Sequence, residues 1–340
     1  MSFVIRPATL ADLQPMYEMA KLTGGGFTNL PPDKAALRAK LERTAAAFAG
    51  EPTNADSGGH DQLFVLMLEN RNTGEIRGTC QIFTEVGVRW PFYSYRIGSI
   101  SQHSAELNRT FRADTLSLVT DLEGSSEVGG LFLHPNERAG GLGLLLARSR
   151  YLFIRANRER FGERILAELR GVIDDAGGSP FWDGVAGKFF GMGFDEADQF
   201  NALNGNQFIA DLMPSHPVYV AMLTDAARAV IGVPHPSGRA AMRMLENEGF
   251  AFENYIDIFD GGPTMTARTD QVKTIRDAQS ATLTFIGHGG TRSLVATGKA
   301  ADFRCCFAHV AAHDDGIMIE PEAAEALGVS VGDTLDWIGC

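Results

Sequence analysis

Between Gly129 and Arg160 the chain reads GGLFLHPNERAGGLGLLLARSRYLFIRANRER, and no other stretch restricts the fold as much. An apolar run up to His134-Pro135 has the length of a strand, and a long apolar segment from Leu144 has the length of a helix. The residues between, Arg138-Ala139-Gly140-Gly141-Leu142-Gly143, follow the pattern R-x-x-G-x-G. Glycines there let backbone N–H groups come close to an anion, and a helix N-terminus adds a partial positive charge, so the turn is shaped for a pyrophosphate. The dinucleotide pattern G-x-G-x-x-G describes it less well: the third glycine is missing, and the turn does not follow the first strand of the chain. A glycine-rich connection without a ligand is the plain alternative. Residues 138 to 164 also hold seven arginines against two glutamates. Such cations suit a ligand like coenzyme A, with its additional 3′-phosphate, and they equally suit a solvated helix face.

That local excess stands out because the whole chain carries a net charge of −12. An acidic protein is a poor partner for nucleic acid or an anionic membrane, whose binding depends on releasing counterions to a basic surface. The 340 residues, 44% of them hydrophobic, exceed one ordinary core and predict a main domain with a smaller companion. Cys80, Cys305, Cys306 and Cys340 form no paired framework or CxxC motif, which fits reduced thiols. The start, MSFVIRPATLADLQ, lacks the basic and apolar regions of a signal peptide, and no apolar run reaches membrane-spanning length. The expectation is a cytoplasmic protein.

SFVIRP reads as a first strand, followed by a capping box at Thr9 and Asp12 and a helix with Leu10, Leu13, Met16 and Ala20 inward, ended by Gly24 to Gly26. A second helix starts near Asp33 and runs towards Gly50 with Leu37, Leu41 and Phe48 on one side. LFVLMLEN, the turn RNTG and EIRGTCQIFTEV predict a hairpin. FYSYRIGSI and TLSLVTDL read as further strands. After the glycine turn and its helix come a strand at RILAELRGVI and a helix over SPFWDGVAGKFFGMGF. Another helix spans about 217 to 231, and one more lies in HPSGRAAMRMLENEGF. A boundary between 270 and 285 divides an α/β domain, 1–275, from a β-barrel-like unit with one short helix, 276–340. The fold class expected is α/β (α+β).

This order resembles the GNAT-type acyltransferases: VIRPATLADL at the start, hairpin strands, a strand entering an R-x-x-G-x-G turn and a helix, then a strand and a helix closing on Gly-Phe. More narrowly, the chain resembles the arginine N-succinyltransferase family. The stretches that carry this are KLTGGGFTNLP, PFYSYRIGS, SSEVGGLFLHP, LLLARSRYLFI, AELRGVIDDAGGSPFW, KFFGMGF, FIADLMPSHPVYV, VIGVPHP, MLENEGF and YIDIFDGGPT, scattered from residue 21 to 265. The resemblance implies a GNAT-like mixed sheet flanked by helices. It also implies transfer of a succinyl group from succinyl-CoA, as co-substrate and not tightly bound cofactor, to the α-amine of L-arginine within a ternary complex. No metal is implied, and a homodimer or an alpha/beta hetero-oligomer is. A relative acting on ornithine or using acetyl-CoA, and a non-catalytic acyl-CoA-binding subunit, are the competing readings.

Acyl transfer to an amine needs a neutral amine, a polarised carbonyl and an acid for the departing thiolate. By the resemblance, Leu131, Phe132 and Leu133 offer backbone N–H groups to the thioester, and Leu131 matches the family's succinyl-CoA contact. The phosphate turn is Arg138, Ala139, Gly140, Gly141, Leu142 and Gly143. His235, between two prolines in VPHPSG, matches the family's proton donor, a role suited to imidazole near neutral pH. Glu168, Asp174 and Asp175 are candidates for the substrate guanidinium, and Arg96 and Arg170 for the succinyl carboxylate. Strand-edge charges and loop caps are the bland reading of all five. Tyr93, Tyr95 and Trp182 read as core or pocket wall, and Cys305 and Cys306 as packed thiols.

Overall fold

The computed structural model describes residues 3–23, 29–50, 61–138, 140–174, 177–204, 207–214 and 216–340. Gly24 to Gly26, Ala139 and Asp175 lie outside these. In chain order the first elements are β1 (Phe3–Pro7), α1 (Leu13–Lys21), α2 (Lys34–Ala49), β2 (Leu63–Asn70) and β3 (Glu75–Phe83). Then come β4 (Ser94–Ser104), β5 (Arg109–Val119), β6 (Ser126–Leu133), α3 (Leu142–Ala156) and β7 (Arg164–Glu168). After short helices follow β8 (Val218–Tyr219), β9 (Ala251–Ile256) and β10 (Pro263–Arg268), and the chain ends with β11 (Gln279–Ile286), β12 (Thr291–Thr297), β13 (Arg304–His313), β14 (Gly316–Ile319) and β15 (Thr334–Gly339). The packing forms two compact units, one of residues 1–85, 126–163 and 268–340, the other of 86–125 and 164–267.

In the first unit β1, β2, β3 and β6 are neighbours, and β2 pairs antiparallel with both β1 and β3. The run Leu63–Leu68 is buried at every position, as a strand covered on both faces must be. One face of the sheet packs with Met16, Leu37 and Leu41 of α1 and α2. On the other, α3 approaches so closely that a Cβ on Gly78 would lie 2.7 Å from Leu146 Cδ1. Phe153 of α3 sits 4.9 Å from the ring of Phe64 and 5.1 Å from that of Phe303. Removing a buried ring of this kind costs about 3–5 kcal/mol. α2 starts where the Asp33 carboxylate accepts the Ala36 N–H at 2.6 Å, and it stops at Gly50, whose φ is 75°.

The C-terminal strands run in the order β12-β15-β11-β14-β13, and β13 pairs back with β12, so five strands close a barrel. Closure removes the exposed edges. Its interior is filled by Leu283, Val295, Cys306, Ile317 and Leu335, with the helix Pro321–Leu327 packed on it. β1 also reaches β13, Ile5 opposite Cys305. The expected mixed α/β class with a small barrel is what the chain adopts. All four cysteines are free thiols, and Cys80, Cys305 and Cys306 are buried.

The second unit has the strand order β7-β10-β9-β4-β5-β8, around a core that includes Tyr95, Phe181, Trp182 and Ile256. Three local expectations are corrected. Leu10 lies in a 3-10 turn and is half exposed, because the turn at Leu10–Asp12 precedes α1 instead of belonging to it. The helix expected over SPFWDGVAGKFFGMGF breaks into Pro180–Gly184 and Gly187–Phe190. Gly184 is where its neighbour packs, since a Cβ there would sit 2.3 Å from Ala227 Cβ. The helix expected over 217 to 231 shrinks to Asp225–Val230, because Val218 and Tyr219 are taken up by pairing with Leu116 and Thr115. Among the described residues, no helix is long and apolar enough to cross a membrane.

Candidate acyl-carrier turn and proton donor

The β3–β6 ladder pairs Gln81 with Gly129 and Thr79 with Phe132, so three steps along β6 answer two along β3. The extra residue makes a bulge at Gly130–Leu131. A bulge interrupts the ladder and re-aims the backbone. Gly130 has φ 55°, and a Cβ there would meet Gln81 Cδ at 2.6 Å, so both conformation and space require glycine. Leu131, expected to contact the acyl carrier, therefore sits at the one irregular step of the strand, with Phe132 buried and Leu133 partly exposed beyond it.

From β6 the chain turns through Pro135–Glu137, with the His134 N–H bonded to Arg77 O at 2.8 Å. Gly140 and Gly141 have φ 67° and 82°, two successive left-handed residues that no other side chain adopts cheaply. α3 begins at Leu142, and the N–H groups of Leu144 and Leu145 already bond to Gly141 O. The N–H groups before them have no intrahelical acceptor and are the natural anion donors of α3. A Cβ on Gly140 would meet nothing within 4 Å, so the turn opens outward there. Arg292 braces it: Nη2 donates to Gly140 O at 2.6 Å, and the guanidinium stacks 3.9 Å from the Phe307 ring centroid. That bond occupies a carbonyl that would otherwise repel a phosphate.

In the second unit His235 is partly exposed and caps a short 3-10 turn. Its backbone N–H donates to Arg170 O at 2.7 Å. Nδ1 accepts the Ser237 N–H at 3.3 Å and lies 2.7 Å from Ser237 Oγ. An Nδ1 that accepts leaves the proton of the neutral ring on Nε2. Desolvation, and then the charge of Arg170, hold the His235 pKa below the ordinary histidine value. Both effects disfavour the charged ring, so its imidazolium form is the stronger acid but the less populated one near neutral pH.

Two family models match the chain, one described as arginine N-succinyltransferase beta subunit over residues 3–274, the other as the C-terminal domain of that subunit over 279–339. The chain belongs to the arginine N-succinyltransferase family. Within it, proteins named arginine N-succinyltransferase from Citrobacter koseri and Salmonella paratyphi B are each 44% identical over 276 residues, 81% of this chain and 79% of theirs. A solved structure titled arginine/ornithine succinyltransferase subunit AI, from Pseudomonas aeruginosa, superposes with TM-score 0.89 at 32% identity, covering 99% of this chain and 98% of that one. Like its relatives, the chain is an acyltransferase.

Against this family background the other expected residues sort by their partners. Of the seven arginines, six hold structure. Arg148, buried, donates to Thr274 Oγ1 at 2.8 Å and to Gly339 O at 3.1 Å. Arg150 turns back to Ala147 O, and Arg155 bonds to Ile275 O. Arg158 pairs with Asp270 at 2.6 Å, Arg160 bonds to Ala47 O, and Arg164 stands 3.9 Å from Glu253. Arg138, exposed at the turn itself, remains as the one of the seven aimed at solvent beside the glycines. Asp174 accepts the Gly178 N–H at 2.8 Å and caps its own loop. Arg96 pairs with Asp121 at 3.3 Å and lies over the Tyr255 ring. Arg170 Nε is buried without a hydrogen-bond partner. Glu168 ends β7, partly exposed. Trp182 and Tyr95 are core: the indole stacks between Phe190 and Phe259 and donates to Met192 O, while burial pushes the Tyr95 phenol up.

Sequence reasoning missed a charged pair beside the bulge. Glu127 shares the partly exposed row of β6 with Gly129, Leu131 and Leu133, and its Oε1 would be 3.1 Å from a Cβ on Gly129. Lys40 Nζ donates to Asn29 O and, at 3.1 Å, to Gln81 Oε1. Burial pushes the Glu127 carboxyl up to about 7, against the pull of the Lys40 charge. Burial, with the charge of Arg43, brings the Lys40 amine down to about 8. The only signal in the sequence was a carboxylate inside an otherwise apolar strand, SEVGGLFL.

Proposed function

We propose that this chain transfers the succinyl group of succinyl-CoA to the α-amine of L-arginine by direct attack in a ternary complex. The observation that supports it is the bulged β6 running straight into the Gly140–Gly141 turn at α3, in a member of a family named for that reaction. The turn and Arg138 hold the pyrophosphate, and N–H groups at Leu131–Leu133 polarise the thioester carbonyl as it becomes an oxyanion. Glu127, whose raised pKa suits a proton acceptor near neutrality, takes a proton from the α-ammonium. The amine then forms the new C–N bond, the C–S bond breaks, the imidazolium form of His235 gives its Nε2 proton to the thiolate, whose conjugate acid has a pKa of about 8.5, and the ring regains a proton from the nitrogen as the amide forms. Glu168, Asp174 and Asp175 are the carboxylates proposed for the substrate guanidinium. Arg96 and Arg170 are the cations proposed for the succinyl carboxylate; Arg170 Nε is the one of the two buried without a hydrogen-bond partner, while Arg96 is paired with Asp121.

The test is thiol release with succinyl-CoA and L-arginine on the isolated chain, beside a panel of ornithine, other amines and acetyl-CoA. Turnover confined to succinyl-CoA with L-arginine supports the reading. Ornithine is favoured as a second acceptor by the name of the Pseudomonas relative. A folded, CoA-binding His235→Ala variant that keeps turnover within about threefold removes the acid role from His235. No turnover by the chain alone, restored by a second subunit, moves the activity to a hetero-oligomer, a form suggested by the subunit in the relatives' names.

A further inference from the structure

We propose that Asp260 is the positioning residue of the proton donor: it fixes the backbone from which His235 hangs and balances the charge beside its ring. The proposal rests on the reading of His235 as acid.

Leu169 to Gly171 lies against the turn Asp257–Gly262 with almost no space between the two backbones. A Cβ on Gly171 would be 2.3 Å from Asp260 O, and one on Gly262 would be 2.1 Å from Leu169 O. The Asp260 carboxylate clasps the two segments, Oδ2 accepting the Gly171 N–H at 2.7 Å and Oδ1 the Gly262 N–H at 2.8 Å. The Leu169 N–H reaches Pro263 O at 3.1 Å. Between Leu169 and Gly171 stands Arg170, whose carbonyl accepts the His235 N–H. The histidine loop is tied a second time, by the Gly232 N–H to Gly261 O at 2.8 Å. Both ties of the loop therefore end on backbone that Asp260 holds.

Charge follows the same line. Arg170 is the ionised group acting on His235, and its positive charge disfavours the imidazolium. Burial raises the Asp260 carboxyl, opposed by the Gly171 and Gly262 N–H groups, by a hydrogen bond with Asp257 on the same turn and by the charge of Arg170. Asp260 thus offsets the Arg170 charge next to the ring. Removing Asp260 leaves that charge uncompensated and lowers the His235 pKa, whereas removing the Arg170 charge raises it.

The experiment is an NMR titration of the His235 ring in the full chain with Asp260→Asn and Arg170→Gln, together with steady-state kinetics. The second variant keeps the Arg170 carbonyl. The expected result is shifts of opposite sign, down in Asp260→Asn and up in Arg170→Gln. In Asp260→Asn, kcat should fall by about tenfold or more with KM for succinyl-CoA within about twofold, as misplacement of a reacting group does. Shifts of the same sign, or none in either variant, overturn the proposal, as does an unchanged kcat in Asp260→Asn. A merely structural Asp260 would not give opposite shifts. If His235→Ala proves fully active, the acid reading fails, while the titration still reports whether Asp260 governs the ring.

Discussion

Asp257 and Asp260 place two carboxyl groups on one buried turn, and replacing the first with asparagine should make the protein more stable at alkaline pH. Burial, and then the charge of Asp260, push the Asp257 carboxyl from 3.8 up to about 7. A carboxyl whose pKa is higher in the folded than in the unfolded chain is protonated in the fold while the unfolded chain has already released its proton. Stability therefore falls as the pH rises from about 4 to 7. Three units at 1.36 kcal/mol each set a ceiling of about 4 kcal/mol on the penalty at pH 8, and some access to water brings the expectation to about 2–3 kcal/mol. Asparagine keeps the Oδ1 that accepts the Phe259 and Asp260 N–H groups, at 2.7 and 2.9 Å, and carries no charge. Urea unfolding of Asp257→Asn and wild type can be followed by tryptophan fluorescence, since Trp182 stacks 5.6 Å from Phe259 in the same unit. The variant should be the more stable at pH 8, with the gap closing at pH 4. Equal stability at pH 8, or a gap that does not change with pH, refutes the argument.

The arginines separate structural from ligand-facing charge. Arg148→Met should cost about 2–3 kcal/mol of stability, through the lost bonds to Thr274 and Gly339, and leave the Kd for CoA within about twofold; Arg292→Ala should weaken CoA about tenfold with a stability change under about 1 kcal/mol. Calorimetry of CoA binding beside urea titrations checks both, and a reversed pattern sinks the assignment. Native protein should react with a thiol reagent at Cys340 alone and at all four cysteines in denaturant, because the other three are buried and burial raises the thiols of Cys80 and Cys306 to about 11 and 12. More than one fast thiol in the native chain contradicts that packing.

The glycine turn was legible in the sequence because its cause is local: two left-handed residues and a helix start need glycines at fixed spacing, and little distant structure can alter that. The β2–β3 hairpin, the Asp33 cap of α2 and the barrel were legible for the same reason, since periodicity and turn chemistry act over a few residues. What each charge does was not legible. The seven arginines in 138–164 suited a phosphate patch or a solvated face, and six of them are spent on partners, four of which, Thr274, Ile275, Asp270 and Ala47, lie more than a hundred residues away in sequence. Arg292 reaches Gly140 across 152 positions, and the charge of Lys40 acts on Glu127 across 87 positions of sequence only in the fold. Helix breaks at Gly184 and the short pairing of Val218–Tyr219 arose likewise from contacts that outweigh local propensity.

The sequence by itself determined the family, most of the order of strands and helices and the glycine turn at the start of α3, because backbone preference and hydrophobic period are properties of neighbouring residues. Tertiary structure alone decided which carboxylates and cations are free for chemistry, because desolvation and ion pairing depend on what the folded chain brings within a few ångströms.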